Sequence, residues 1–158
     1  MRVLLALGRG DAAAWLADAV ARLPAATAEV VLVHVVDLGP RQEWEQARER
    51  FVGRAPLSPD RRAALDEAER AGGEAILDQG VAAVRAAGYG GPLARQVLRG
   101  RPERTLVEAA GALGAGLVVL SAREGARPAP PGPRSVGHVA RFVVDHAPCP
   151  VLLVRGSA

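Results

Sequence analysis

The segment Leu117–Val154 reads LVVLSAREGARPAPPGPRSVGHVARFVVDHAPCPVLLV. Its first four residues, Leu117 to Leu120, are an apolar run of strand length. A loop rich in Gly, Pro and Arg follows, Ser121 to Ser135, and a helix is expected to begin at Gly137-His138. A turn at Ala147-Pro148-Cys149-Pro150 then leads into a second apolar strand, Val151 to Val154. In a parallel α/β sheet, ligands bind beyond the carboxyl ends of the strands, where a helix amino end suits an anion. Any small-molecule site is therefore expected in this segment.

Working outward, Arg2 to Leu7 and Glu29 to Val36 are apolar at nearly every position. Such runs read as strands covered on both faces. Between them, Trp15, Leu16, Ala19, Val20 and Leu23 recur at helical spacing, Asp11 is placed to cap that helix, and Pro24 ends it. Strand, helix, strand at this spacing is a βαβ unit, so the sheet is expected to be parallel. Leu93 to Arg99 is a third strand, more polar and hence suited to an edge. Pro102 opens a helix, Glu103 to Leu113, at the first-turn position that tolerates a missing N–H. The expectation is one α/β domain over residues 1–158, doubly wound, with a five-stranded parallel sheet and helices on both faces.

Residues 39–88 read as a variable helical connection. Pro40 to Phe51 is charged and helical, and its Trp44 suggests a lid or a partner surface. A second helix starts near Asp60, with Gly72-Gly73 as a kink or break and Gly88 as a left-handed cap.

Composition narrows the function. Hydrophobic residues make up 49% of the chain, which opposes disorder. No apolar run approaches the roughly 20 residues that span a bilayer, and the short run after Met1 is no signal peptide. Cys149 is the single cysteine, so a cytoplasmic setting is expected. All 20 basic residues are Arg, but the net charge is only +3. Scattered Arg and 3% aromatics argue against nucleic-acid binding. His34, His138 and His146 lack metal-ligand spacing, and Ser135 lacks the context of an activated nucleophile. No Walker-type P-loop is present, and Gly8-Arg9-Gly10 lacks the third glycine of a dinucleotide fingerprint.

The run Val143-Val144-Asp145-His146-Ala147-Pro148-Cys149-Pro150-Val151-Leu152-Leu153-Val154 resembles the carboxyl end of the universal stress proteins. The resemblance covers residues 1–38 and 89–155. It implies the strand order 3-2-1-4-5, with the switch point between strands one and four. It also implies a non-enzymatic stress-response domain and a homodimer joined through the last strand, Val151 to Val154. Many relatives bind ATP, so ATP or AMP is implied as a ligand, with Mg²⁺ only alongside the nucleotide.

Carried onto this chain, the family's site falls on Ala6, Leu7, Gly8, Val35, Leu120, Ser121, Arg123, Gly125, Gly137, His138 and Val139. The family's nucleotide loop reads roughly G-x-x-G, about nine residues, then G-[S/T]. Its fixed positions fall here on Ser121, Glu124 and Gly137, and its hydroxyl position on His138. Gly137 alone keeps the pattern, while Gly8 stands where relatives carry an acid. Twelve residues separate Glu124 from Gly137, so Gly125 can shift into register. Arg9, Arg123, Arg127 and Arg134 offer phosphate contacts by another route. Three functions stay open: an adenine-nucleotide site at the switch point, a nucleotide-free protein-interaction module with a decayed site, and a weak ATP hydrolase.

Overall fold

In the computed structural model, which describes residues 1–8, 13–39, 58–122 and 135–155, the apolar runs become the centre of one parallel sheet. The strands are β1 (Arg2–Leu7), β2 (Glu29–Asp37), β3 (Leu93–Gly100), β4 (Leu117–Ser121) and β5 (Val151–Val154). Their order is β3-β2-β1-β4-β5, and every pairing is parallel. The expected fold class and strand order are both observed. The described helices are α1 (Ala13–Val20), α2 (Pro59–Ala86), α3 (Pro102–Ala112) and α4 (His138–His146).

Alternation along the central strands explains why they must be apolar throughout. Leu4, Ala6, Val31, Val33 and Val35 face one cluster with Leu106, Ala109, Ala140 and Val143 of α3 and α4. Val3, Leu5, Leu7, Val30 and Leu32 face the other, with Trp15 and Leu16 of α1 and Leu77 and Val84 of α2. Leu4, Leu5, Leu16, Leu32 and Leu77 are fully buried. Each such leucine contributes about 2 kcal/mol relative to exposure. β3 is the expected edge strand, and Arg95 and Arg99 on it pair with acids of α2.

Several boundaries depart from the sequence reading. Gly72-Gly73 does not break the helix: α2 runs unbroken for 28 residues. Ser58 caps it, its Oγ accepting the Arg61 N–H, and Pro59 occupies the first turn. Gly73 is buried where α2 meets the sheet, so the missing side chain serves packing. α1 stops at Val20, and Leu23 closes a turn through its N–H to the Val20 carbonyl. Ser121, expected to begin the loop, is the last residue of β4 and pairs with Val154. Gly88 has φ +93°, as a left-handed cap requires. The Pro40–Phe51 helix and the Asp11 cap lie outside the described residues.

This topology fixes where a ligand can sit. β1 connects toward β2 on one side and has β4 on the other, so connections diverge at its carboxyl end. That divergence leaves a crevice above the sheet.

Candidate functional site

A cleft of about 610 Å³ opens at this point. Ala6, Leu7 and Gly8 of the β1 end form its floor with Leu120 and Ser121 of β4. His34, Val35 and Asp37 close one side, and Val136 to Ala140 the other. Pro102 and Leu106 of α3 and Glu69 of α2 complete the wall. Ala6, Val35, Leu106, Leu120 and Ala140 all belong to the cluster beneath α3 and α4, so the cleft has an apolar base. A flat, apolar ring system can be desolvated there.

The amino end of α4 opens into the cleft. Gly137 is its N-cap, with φ +93° and ψ +160°, a backbone region essentially restricted to glycine. Among the described residues, no side chain caps the helix. The Gly137 N–H itself donates to Ser135 Oγ at 3.2 Å. The first-turn N–H groups of α4 therefore present a positive partial charge to whatever enters. Pro102 brings the amino end of α3 to the same side.

Two histidines frame the site differently. The His138 side chain is 77% exposed at the mouth, with Nε2 3.9 Å from Glu103 Oε1. His34 is buried, and its Nδ1 lies 2.8 Å from the Leu7 carbonyl oxygen. A carbonyl can only accept, so Nδ1 carries the hydrogen and donates. That bond ties β2 to β1 at the cleft edge, a structural role. His146 is structural too: its Nδ1 bonds the Phe142 carbonyl at 2.9 Å and its ring stacks on Phe142.

Nine of the eleven residues expected at the site line this one cleft: Ala6, Leu7, Gly8, Val35, Leu120, Ser121, Gly137, His138 and Val139. Arg123 and Gly125 lie outside the described residues, as do Arg9, Glu124, Arg127 and Arg134. The sequence reading does not place Asp37, Glu69, Pro102 or Leu106 at the cleft. Asp37 has a local signal, as a polar residue ending a buried strand. Glu69 has none, because packing of a distant helix brings it there. Its Oε2 accepts from Arg99 Nη2 at 3.0 Å. Among the described residues, no group of three or more His, Cys, Asp or Glu side chains could hold a metal ion. Nor is any described helix long and apolar enough to cross a membrane.

Comparison with solved structures extends the likeness over nearly the whole chain. The universal stress protein UspA from Lactobacillus plantarum is 24% identical, with a TM-score of 0.70 over 98% of this chain and 97% of that one. The universal stress protein from Archaeoglobus fulgidus, solved in complex with dAMP, is 21% identical, with a TM-score of 0.61 over 98% and 97%. A universal stress protein family protein from Arabidopsis thaliana, solved with AMP bound, is 16% identical, with a TM-score of 0.62 over 100% and 93%. No curated protein matches the sequence. The model of the universal stress protein family matches residues 1–155. This chain therefore belongs to the universal stress protein family.

Proposed function

We propose that this protein is a non-enzymatic stress-response domain that binds an adenine nucleotide beyond the carboxyl ends of β1, β2 and β4. The observation that carries the reading is the cleft of about 610 Å³, apolar at its base and open to the uncapped amino end of α4. Its size falls within the range of small-molecule sites. Its two characters match the two parts of a nucleotide: Val35 and Leu120 wall the base, and Gly137 and His138 meet the phosphate. Family members from Archaeoglobus fulgidus and Arabidopsis thaliana carry dAMP and AMP. Mg²⁺ enters only with a polyphosphate. The non-enzymatic part rests on the absence of a credible base or metal ligand in the sequence, and phosphate release above a heat-killed control would refute it.

The test is isothermal titration calorimetry of the full chain with AMP, then with ATP and Mg²⁺. Saturable heat at micromolar affinity supports the site. No heat at millimolar nucleotide from folded protein retires it. One observation favours the alternative, a nucleotide-free interaction module: the charge beside His138 is the Glu103 carboxylate at 3.9 Å, a negative group at the phosphate end.

The protein is further proposed to act as a cytoplasmic homodimer through β5. Among the described residues β5 pairs with β4 on one side only, and Val151, Leu152 and Leu153 are half-buried in the monomer. An apolar edge strand of this kind favours pairing across a two-fold axis. Light scattering at micromolar concentration distinguishes dimer from monomer.

A further inference from the structure

We infer that His138 and Glu103 make nucleotide binding proton-linked: the imidazole bridges the Glu103 carboxylate and the entering phosphate, and only its doubly protonated form can do so. The inference rests on the nucleotide reading above and adds to it the control of that site by pH.

His138 is placed between two anions. It lines the cleft as the first residue of α4, beside the Gly137 cap to which that reading brings the phosphate. Its Nε2 lies 3.9 Å from Glu103 Oε1. Glu103 stands behind the ring, in the first turn of α3. Its side chain is only 14% exposed, whereas that of His138 is 77% exposed. The other charged or titratable groups around the cleft have partners or face solvent. Asp37 Oδ1 accepts the Gly39 N–H, Glu69 bonds Arg99, and the buried His34 bonds the Leu7 carbonyl. Arg101 and Arg104 beside Glu103, and Arg141 one turn along α4, are exposed.

A neutral imidazole has one N–H and one lone pair, and the imidazolium has two N–H groups. With Nε2 turned to Glu103, Nδ1 is the nitrogen left for the phosphate. A neutral ring can donate to one of the two acceptors and never to both. Its lone pair then faces the other anion, and carboxylate and phosphate repel each other across it. The imidazolium donates to both and cancels one negative charge. Filling the site therefore favours uptake of a proton by His138, and affinity falls as pH rises. Histidine suits this task because an unperturbed imidazole changes charge around pH 6.5, within the physiological range.

The experiment is calorimetric titration of the full chain with AMP at about pH 5.5 and about pH 8, on either side of that range, for the native protein, His138→Gln and Glu103→Gln. The second ionisation of the AMP phosphate, near pH 6, affects all three proteins alike and cancels in their ratios. At the lower pH the native protein is expected to bind AMP about fivefold tighter than His138→Gln, the scale of one exposed charge pair. At the higher pH that advantage is expected to vanish. There Glu103→Gln is expected to bind about two- to fivefold tighter than the native protein, because the repelling carboxylate is gone. A merely structural role for Glu103 would weaken binding instead. A native-to-His138→Gln ratio that is level with pH, or Glu103→Gln no tighter than native at the higher pH, overturns the inference and leaves the nucleotide site standing. No AMP binding by folded native protein at either pH overturns both. If Glu103→Gln does not fold, the ratio for His138→Gln, a change at an exposed side chain, decides the matter.

Discussion

A Cβ built on Gly73 would stand 2.9 Å from Val97 Cγ1, across the contact between α2 and β3. His34 Cδ2 and Val97 Cγ2 would each be 3.2 Å away. Gly73 is thus the point where α2 rests on the sheet. Replacing a mid-helix glycine by alanine gains about 0.5–1 kcal/mol of backbone entropy. Forcing a methyl into a packed core costs about 1–3 kcal/mol. The obstructing valine is stiff at χ1, so the cost prevails at Gly73. At the exposed neighbour Gly72, where an added Cβ would meet no described atom within 4 Å beyond the helix's own backbone, only the gain applies. Urea melts should show Gly73→Ala less stable by about 1 kcal/mol and Gly72→Ala more stable by about 0.5 kcal/mol. Shifts of the same sign would contradict this packing.

Arg99 fastens the same helix to the sheet edge. Its Nη2 bonds Asp66 Oδ1 at 2.7 Å and Glu69 Oε2 at 3.0 Å. Arg95 repeats the arrangement further along with Asp78 and Glu74. These side chains are partly exposed, and exposed pairs contribute about 0.2–1 kcal/mol each. Arg99→Ala should therefore cost about 1 kcal/mol at low salt. The difference from the native protein should shrink in 1 M salt, where screening acts within about 3 Å. A loss indifferent to salt would mean that the Arg99 stem packs rather than its charge.

The glycine pair marks the limit of what the sequence discloses. Two adjacent glycines lower helix propensity by about 1 kcal/mol each and read as a break. The contact with Val97 that makes one of them necessary is non-local, so no spacing announces it. The central strands are different: residues 3–7 and 30–36 are buried at every position, and the continuous apolar run that this demands is visible in one dimension. The cleft divides along the same line. Its β1, β4 and α4 walls come from local strand and helix ends, and those residues are readable. Glu69 and Leu106 arrive through the packing of α2 and α3, which only the assembled core determines. Ser121 shows how fine the boundary is, since pairing with Val154 rather than composition keeps it in the strand.

Cys149 offers a test of the turn between α4 and β5. It is half-buried between Pro148 and Pro150. Burial pushes its thiol up from the ordinary value, and a hydrogen bond from the Val118 backbone offsets this in part. A raised pKa leaves less thiolate at a given pH, and thiolate is the reactive form. Alkylation of the folded protein should therefore be slower at pH 8 than that of the urea-unfolded chain. Equal rates folded and unfolded would place the thiol in open solvent.

Gly137 joins backbone strain to ligand chemistry. Its φ of +93° with ψ of +160° is a conformation that other residues enter at a cost of about 1–3 kcal/mol. Alanine there brings the strain alone. Aspartate brings the strain and also a carboxylate suited to cap α4, a gain of about 1 kcal/mol. Gly137→Asp should consequently melt at or slightly above Gly137→Ala. Binding should order them the other way. The new carboxylate takes the first-turn N–H groups that a phosphate needs, and it repels the phosphate as well. Calorimetry with AMP should show Gly137→Ala weakened several-fold and Gly137→Asp at least tenfold weaker again. Should both variants bind AMP as the native protein does, the phosphate does not lie at the α4 amino end, even if the nucleotide enters the cleft.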